Sequence, residues 1–202
     1  ELVAVVVILH GTVAAALGYL VVHQQDAVGL ATFDTQISRF LRPLSTPGHL
    51  KQILHQLEET PASGETALGP ILHDLAERIR KRGLVILLSD LFDDVDSLMR
   101  GLKHFRHRRH DVSVFHVIDP AEQEFPFEEP TLFKGLEGLP DQMTDPRALR
   151  SAYRREFDSF LTDVRRQCAD MRMDYVLLRT DKPVDAALRG YLTRRMQRAG
   201  RT

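Results

Sequence analysis

The chain has 202 residues, 27 Lys and Arg against 28 Asp and Glu for a formal net charge of −1, and 43% hydrophobic side chains. These values are typical of one globular domain and exclude a disordered polyelectrolyte, and the balanced charge excludes a chain that holds nucleic acid or an anionic membrane through its net field. The single cysteine, Cys168, excludes an internal disulfide and a thiolate metal site, and therefore favours a reducing, cytoplasmic location.

The first segment is apolar over most of residues 2–22, which is long enough to suggest a membrane span. It has no flanking Lys or Arg, and it divides into a β-branched block at residues 3–8 and an Ala-rich block at residues 13–22. We therefore predict a buried strand followed by a helix, and we expect no membrane span in this chain.

Short periodic segments follow in the first half of the chain. Two apolar runs at residues 27–33 and 37–41, separated by a polar tripeptide, predict a β-hairpin. Leucine and isoleucine at helical spacing then predict helices at residues 50–57 and 68–79. Gly83 is predicted to end the second of these helices as its C-terminal cap.

The second half alternates buried strands with amphipathic helices. Continuous apolar runs predict strands at residues 84–88, 112–118 and 175–178. Helices are predicted after Asp94 as N-cap, from residue 146 to 172, and from residue 184 to 192. The long middle helix has a predicted buried stripe of Phe157, Phe160, Leu161, Val164, Cys168 and Met171. Residues 119–146, with five prolines, are predicted to form a surface insertion with a small hairpin.

Strands that alternate with helices pair in parallel through right-handed crossovers. We predict a single α/β domain over residues 1–202, with a doubly wound, mostly parallel sheet and helices on both faces. Ligands of such sheets bind outside the carboxyl ends of the strands. The candidate site residues are therefore those that follow the predicted strands: Asp34, Asp90, Asp119, Thr180 and Asp181, with Asp93 and Asp94 just beyond.

The motifs for common enzyme chemistry are missing from these strand ends. No glycine-rich nucleotide loop and no nucleophile elbow follows a predicted strand. Asp90, Asp93 and Asp94 could hold Mg²⁺, but Asp93 or Asp94 is also suited to cap the helix at Val95. The basic segment at residues 104–110 is predicted to be a solvated helix face around the buried Phe105, and Cys168 a core thiol.

Several strings, in fixed order, resemble the bacterial family known as domain of unknown function 58. They are GLVILLSDLFDD at residues 83–94, HDVSVFHVIDPAEQEFPF at 110–127, DPRALRSAYRREF at 145–157 and DYVLLRTDKPVDAALRGYL at 174–192, with DAVGLATFD at 26–34 and PGHLKQIL at 47–54. The resemblance covers the chain from about residue 13 onward. It implies a von Willebrand factor A-like, Rossmann-like three-layer domain with sheet order 3-2-1-4-5-6.

Domains of this type bind a divalent cation at a metal-ion-dependent adhesion site formed by three loops, and a carboxylate from the partner completes the coordination. The resemblance places Thr66 in the second loop and Asp90 in the third, with Mg²⁺ or another divalent cation as the implied ligand. The first loop, Asp-x-Ser-x-Ser, has no counterpart, because ELVAVVVILHGT occupies residues 1–12. Either the chain begins in or near the first helix and lacks a complete first strand and metal loop, or residues 2–9 form that strand and residues 10–12 stand in the place of the loop.

The resemblance implies a non-catalytic protein-interaction module that works with a MoxR-type AAA+ ATPase in the assembly or activation of other proteins. No nucleic-acid partner is expected. The expected location is the cytoplasm, with membrane association through a missing amino-terminal region as the alternative, because some relatives carry membrane segments ahead of the domain. The alternative is a Mg²⁺-dependent hydrolase that uses Asp90 and the neighbouring strand-end carboxylates.

Overall fold

A computed structural model describes residues 3–8, 11–59, 68–134 and 141–199. Eight strands and seven helices occur in these ranges. In chain order they are β1 Val3–Ile8, α1 Gly11–His23, β2 Ala27–Phe33, β3 Ile37–Leu44, α2 Pro47–Glu59, α3 Leu68–Arg78, β4 Leu84–Ser89, α4 Val95–His107, β5 Asp111–Ile118, α5 Pro120–Glu124, β6 Thr131–Phe133, β7 Gln142–Thr144, α6 Pro146–Asp170, β8 Asp174–Arg179 and α7 Val184–Ala199.

The main sheet has six strands in the order β3-β2-β1-β4-β5-β8. All neighbours are parallel except β2 and β3, which form the predicted antiparallel hairpin. The order is the expected 3-2-1-4-5-6, with β8 as the sixth strand. Strand β1 pairs with both β2 and β4, so residues 3–8 form a strand in the centre of the sheet. This agrees with the interpretation in which residues 2–9 form the first strand. Residues 1–2 and 9–10 lie outside the described ranges.

Helices cover both faces of the sheet. Val85 and Leu87 of β4 pack in a cluster with residues of α3, α4 and α6, whereas Leu84, Ile86 and Leu88 pack in a cluster with residues of α1, α2 and α7. This alternation follows from the two-residue side-chain period of a strand, and it explains why β4 contains no polar residue before Ser89. No helix in the described ranges is both long enough and apolar enough to cross a membrane; α1 has 13 residues.

Five of the six residues of the predicted buried stripe lie in α6, which ends at Asp170 rather than at residue 172, and the sixth, Met171, is its C-cap and packs partly buried against the core. Phe157, Leu161, Val164 and Cys168 of α6 are buried, and Phe160 packs against them while partly exposed. Burial raises the pKa of the Cys168 thiol to about 12, so that it is a protonated, apolar core group. Strands β6 and β7 form the predicted small hairpin, which is a separate two-stranded antiparallel sheet.

Two predictions at the amino ends of the strands are wrong. Helix α3 ends at Arg78, so Gly83 is not its cap. Instead, the Gly83 N–H donates to Nδ1 of His110 (3.2 Å), and its carbonyl accepts from the Asp111 N–H (3.0 Å). His110 is buried rather than solvated, because α4 ends at His107 and the helical spacing does not continue to residue 110.

Candidate functional site

The loop after β4 forms the centre of the candidate site. Leu91 adopts a φ of 60°, in the left-handed region that side chains other than glycine rarely adopt. Its side chain is fully buried, and its N–H donates to the Ser89 hydroxyl (3.0 Å). These two interactions hold the strained turn in place. They leave Asp90 partly exposed and Phe92 half exposed at the surface.

One carboxylate oxygen of Asp90 accepts hydrogen bonds within its own loop, and the other is uncommitted, that is, it accepts none from a described residue. Oδ1 accepts from the Phe92 N–H (3.3 Å) and the Ser89 hydroxyl (3.4 Å), and Oδ2 has no hydrogen bond to a described residue. Burial raises the pKa of the nearby Glu122, and the negative charges of Asp90 and Asp119 add to this effect. The ends of β4 and β5 therefore form one acidic neighbourhood, as the parallel pairing predicts.

Asp93 and Asp94 are capping residues, as one of the two interpretations had it. Oδ2 of Asp93 accepts from the Leu68 N–H at the start of α3 (2.6 Å), and its Oδ1 accepts from the Asp94 N–H (2.6 Å). Asp94 is the N-cap of α4 and accepts from the Ser97 N–H (2.7 Å). The Asp93 bond joins the loop after β4 to the start of α3, two residues after Thr66 in the sequence. Thr66 itself lies outside the described residues.

Hydrogen bonds and ion pairs join the loops that follow β5 and β8. Asp119 caps α5 and also accepts from the Thr180 hydroxyl (2.8 Å). Asp181 forms an ion pair with Arg179 (3.0 Å), whose hydrogen bond lowers the pKa of that carboxyl. Because these groups satisfy one another, they fix the loops and leave Asp90 as the carboxylate best placed to act outside the fold.

Asp34 belongs to a different feature. It accepts from the Gln36 N–H (3.0 Å) and the Ser38 hydroxyl (2.9 Å), and these hydrogen bonds lower the pKa of its carboxyl. Asp34 therefore shapes the turn between β2 and β3, where Asx turns of this kind are common.

Two residues near Asp90 were not singled out by the sequence reasoning. The Phe92 ring stacks against Phe160 of α6 (centroids 5.9 Å apart), and the only sequence signal for it was an aromatic residue between acidic ones. His116, the register partner of Ser89, is fully buried, and its Nδ1 contacts the Tyr175 hydroxyl (2.8 Å). Burial lowers the pKa of His116 to about 4, so the ring is neutral at pH 7.

The described residues do not by themselves fit the Mg²⁺ site that the resemblance implied. Within residues 3–8, 11–59, 68–134 and 141–199, no group of three His, Cys, Asp or Glu residues could hold a metal ion. Asp90 supplies one uncommitted oxygen, whereas a dedicated site for a hard cation needs more protein ligands.

Adding millimolar MgCl₂ to the isolated chain is therefore expected to raise the melting temperature by less than about 1 °C. A ligand that stays below its dissociation constant contributes less than about 0.4 kcal/mol to the free energy of unfolding. Differential scanning fluorimetry would measure this, with Asp90→Ala as the matched control. A shift of several degrees that Asp90→Ala removes would contradict the expectation and show that the chain completes a cation site alone.

Comparison with known proteins gives one family and a common fold. A sequence profile of the family described as protein of unknown function DUF58 matches residues 7–166, whereas no curated protein matches the chain. The conserved hypothetical protein BatB from Bacteroides thetaiotaomicron is similar with a TM-score of 0.58 and 13% identity over 100% of both chains. An aerotolerance-related membrane protein from Bacteroides fragilis, with multiple mutations to serines, has a TM-score of 0.52 and 14% identity over 90% of this chain and 92% of that chain. At these identities the likeness is one of fold.

Proposed function

Since the chain belongs to the DUF58 family of proteins of unknown function, we propose that it is a non-catalytic protein-interaction module with a doubly wound sheet of the von Willebrand factor A type. Its proposed partner is a MoxR-type AAA+ ATPase, with which it acts in the assembly or activation of other proteins. The likeness of fold to BatB supports this at the level of the scaffold. The proposed location is the cytoplasm, because a chain with a single, buried cysteine has no internal disulfide that would need an oxidising compartment.

The observation that carries the proposal is the pairing of Asp90 with Phe92 on a firmly held loop. A carboxylate with an uncommitted oxygen lies two residues from a phenyl ring that is 50% exposed, and the buried Leu91 between them anchors both. Aromatic side chains are enriched in protein interfaces, and a polar group beside them supplies direction. A pre-ordered pair of this kind loses little conformational entropy when a partner docks.

A divalent cation would belong to the complex rather than to the isolated module. We propose that Thr66 and Asp90 are its ligands from this chain, that waters fill other positions, and that a carboxylate of the partner completes the coordination. The chain's own residues would then orient the cation only when the partner is in place.

The test is direct binding of the purified chain to a purified MoxR-type ATPase from the same organism, measured by biolayer interferometry with Mg²⁺ present. Asp90→Ala is expected to weaken binding by at least about tenfold, the usual range for an interface centre. Asp170→Ala removes an exposed carboxylate at the end of α6, just before the start of β8 and therefore at the opposite end of the sheet from Asp90, and serves as the matched control. Equal binding by both variants would overturn the role of Asp90.

The alternative hydrolase function is tested with the same variants. We expect no Mg²⁺-dependent cleavage of p-nitrophenyl phosphate by the unmodified chain above a blank. Turnover that requires Mg²⁺ and disappears in Asp90→Ala, but not in Asp170→Ala, would replace the interaction module with the hydrolase.

A further inference from the structure

The amino ends of the strands carry a concentration of positive charge. The basic segments at residues 78–82 and 104–110 precede β4 and β5, which are parallel neighbours, so both segments lie at one end of the sheet. The hydrogen bonds from Gly83 to His110 and from Asp111 to Gly83 hold the two segments side by side. This end is opposite to the acidic neighbourhood around Asp90, in a chain whose net charge is only −1.

A groove of about 990 Å³ opens at this end, between the last residues of β3 and the segment after α3. Its apolar wall includes Phe40, which is half-buried, and Ile79, which is buried. Its rim carries five exposed cations: Arg42, Arg78, Arg80, Lys81 and Arg82.

The positive charge of the rim is not neutralised within the described part of the chain. None of the five cations forms an ion pair there, since the recorded pairs involve other residues. Glu77, the acidic residue of the groove, already accepts from His104 (2.8 Å) and pairs with Arg108. The groove therefore combines an apolar wall with uncompensated cations, which is the complement of an acidic and apolar ligand.

We propose that this groove binds an acidic segment of a partner protein in an extended conformation, with its aliphatic side chains on the apolar wall and its carboxylates on the rim. Alternating acidic and aliphatic residues fit such an arrangement, because successive side chains of a strand point to opposite sides.

The geometry favours a peptide over other polyanions. The lining of the groove contains one aromatic ring, Phe40, which is half-buried against the core, whereas proteins that bind single-stranded nucleic acid stack successive bases on several aromatic rings. Of the large apolar side chains that line the groove, Ile79 is buried and Phe40 is half-buried. Leu44 is 51% exposed, but a segment that binds a membrane surface inserts a whole apolar face rather than one side chain.

The experiment uses a short fluorescein-labelled peptide of alternating Glu and Leu, with binding to the full chain measured by fluorescence anisotropy. The Arg80→Glu/Arg82→Glu variant is expected to weaken binding by at least about tenfold, and raising the salt from 50 to 500 mM to weaken it similarly. The matched control is Arg154→Glu/Arg155→Glu, which makes the same charge change at exposed positions of α6 and is expected to bind like the unmodified chain. Melting temperatures would verify that both variants are folded.

Four outcomes would overturn the proposal. They are no binding of the peptide, equal loss in both double variants, tighter binding to phosphatidylglycerol vesicles or to a single-stranded oligonucleotide that depends on Arg80 and Arg82, and self-association that Arg80→Glu/Arg82→Glu abolishes. The last result would identify the acidic end of a second copy as the occupant. The peptide assay contains no ATPase, so its outcome does not depend on whether the function proposed for Asp90 is correct.

Discussion

Replacing Gly101 with alanine is expected to lower the free energy of unfolding by about 3 kcal/mol, although alanine is the better helix former. A Cβ at Gly101 would lie 2.8 Å from Cβ of Leu72 and 2.9 Å from the carbonyl oxygen of Gly69, both on α3. A backbone atom cannot move aside as the end of a flexible side chain can. Helices α3 and α4 would have to separate, which opens the core that they share with β4.

The matched control is Gly190→Ala in α7, where the nearest atom to the new Cβ is the flexible Nη1 of Arg194 at 3.5 Å. This variant is expected to raise the free energy of unfolding by about 0.5–1 kcal/mol, as alanine does in an unobstructed helix. Urea unfolding followed by circular dichroism measures both changes. If Gly101→Ala were also stabilising, the close crossing of α3 and α4 would be wrong.

Acidification is expected to destabilise the chain through His116. Its pKa is about 4 in the folded state against an ordinary value of 6.5, because burial disfavours the charged ring. Between these values the unfolded chain binds more protons than the folded chain, so the free energy of unfolding falls as the pH falls from 6.5 towards 4. The difference in pKa corresponds to about 3 kcal/mol, all of it retained above pH 7.

His116→Gln removes this titration while keeping a hydrogen-bonding group near the Tyr175 hydroxyl. Between pH 7 and pH 4, the free energy of unfolding of the unmodified chain is expected to fall by about 3 kcal/mol more than that of the variant. The exposed His107→Gln is the control and should follow the unmodified chain across the range. Burial also lowers the pKa of His110, so part of the acid sensitivity remains in His116→Gln. Parallel curves for all three proteins would refute the assignment to His116.

Hydrophobic periodicity predicted the elements well where burial is continuous. The unbroken apolar run of β4 and the spaced aromatic and aliphatic residues of α6 are each dictated by the faces that they bury. Helix ends were predicted less well, because the end of α3 at Arg78 and the burial of His110 depend on how β4 and β5 meet. The order of the strands followed from the family resemblance, since periodicity carries no information on which strands are neighbours.

The candidate site was predictable in part. The end of a buried strand identified Asp90, and helix-capping preferences identified Asp94. The exposure of Phe92 was not predictable, because it depends on the left-handed turn at Leu91 and on the position of α6. The pairing of Thr66 with Asp90 stays a prediction, since Thr66 lies outside the described residues.

Because five strands of the main sheet run in the same direction, the basic groove and the loop with Asp90 lie at opposite ends of the sheet. A six-residue strand such as β4 is about 20 Å long, and it separates Arg82 before it from Asp90 after it. Two partners that bind at these poles would therefore have separate footprints on the chain, so that binding of one does not require removal of the other from its own residues. Competition between them would have to arise from parts of the partners outside these footprints or from a change in the fold.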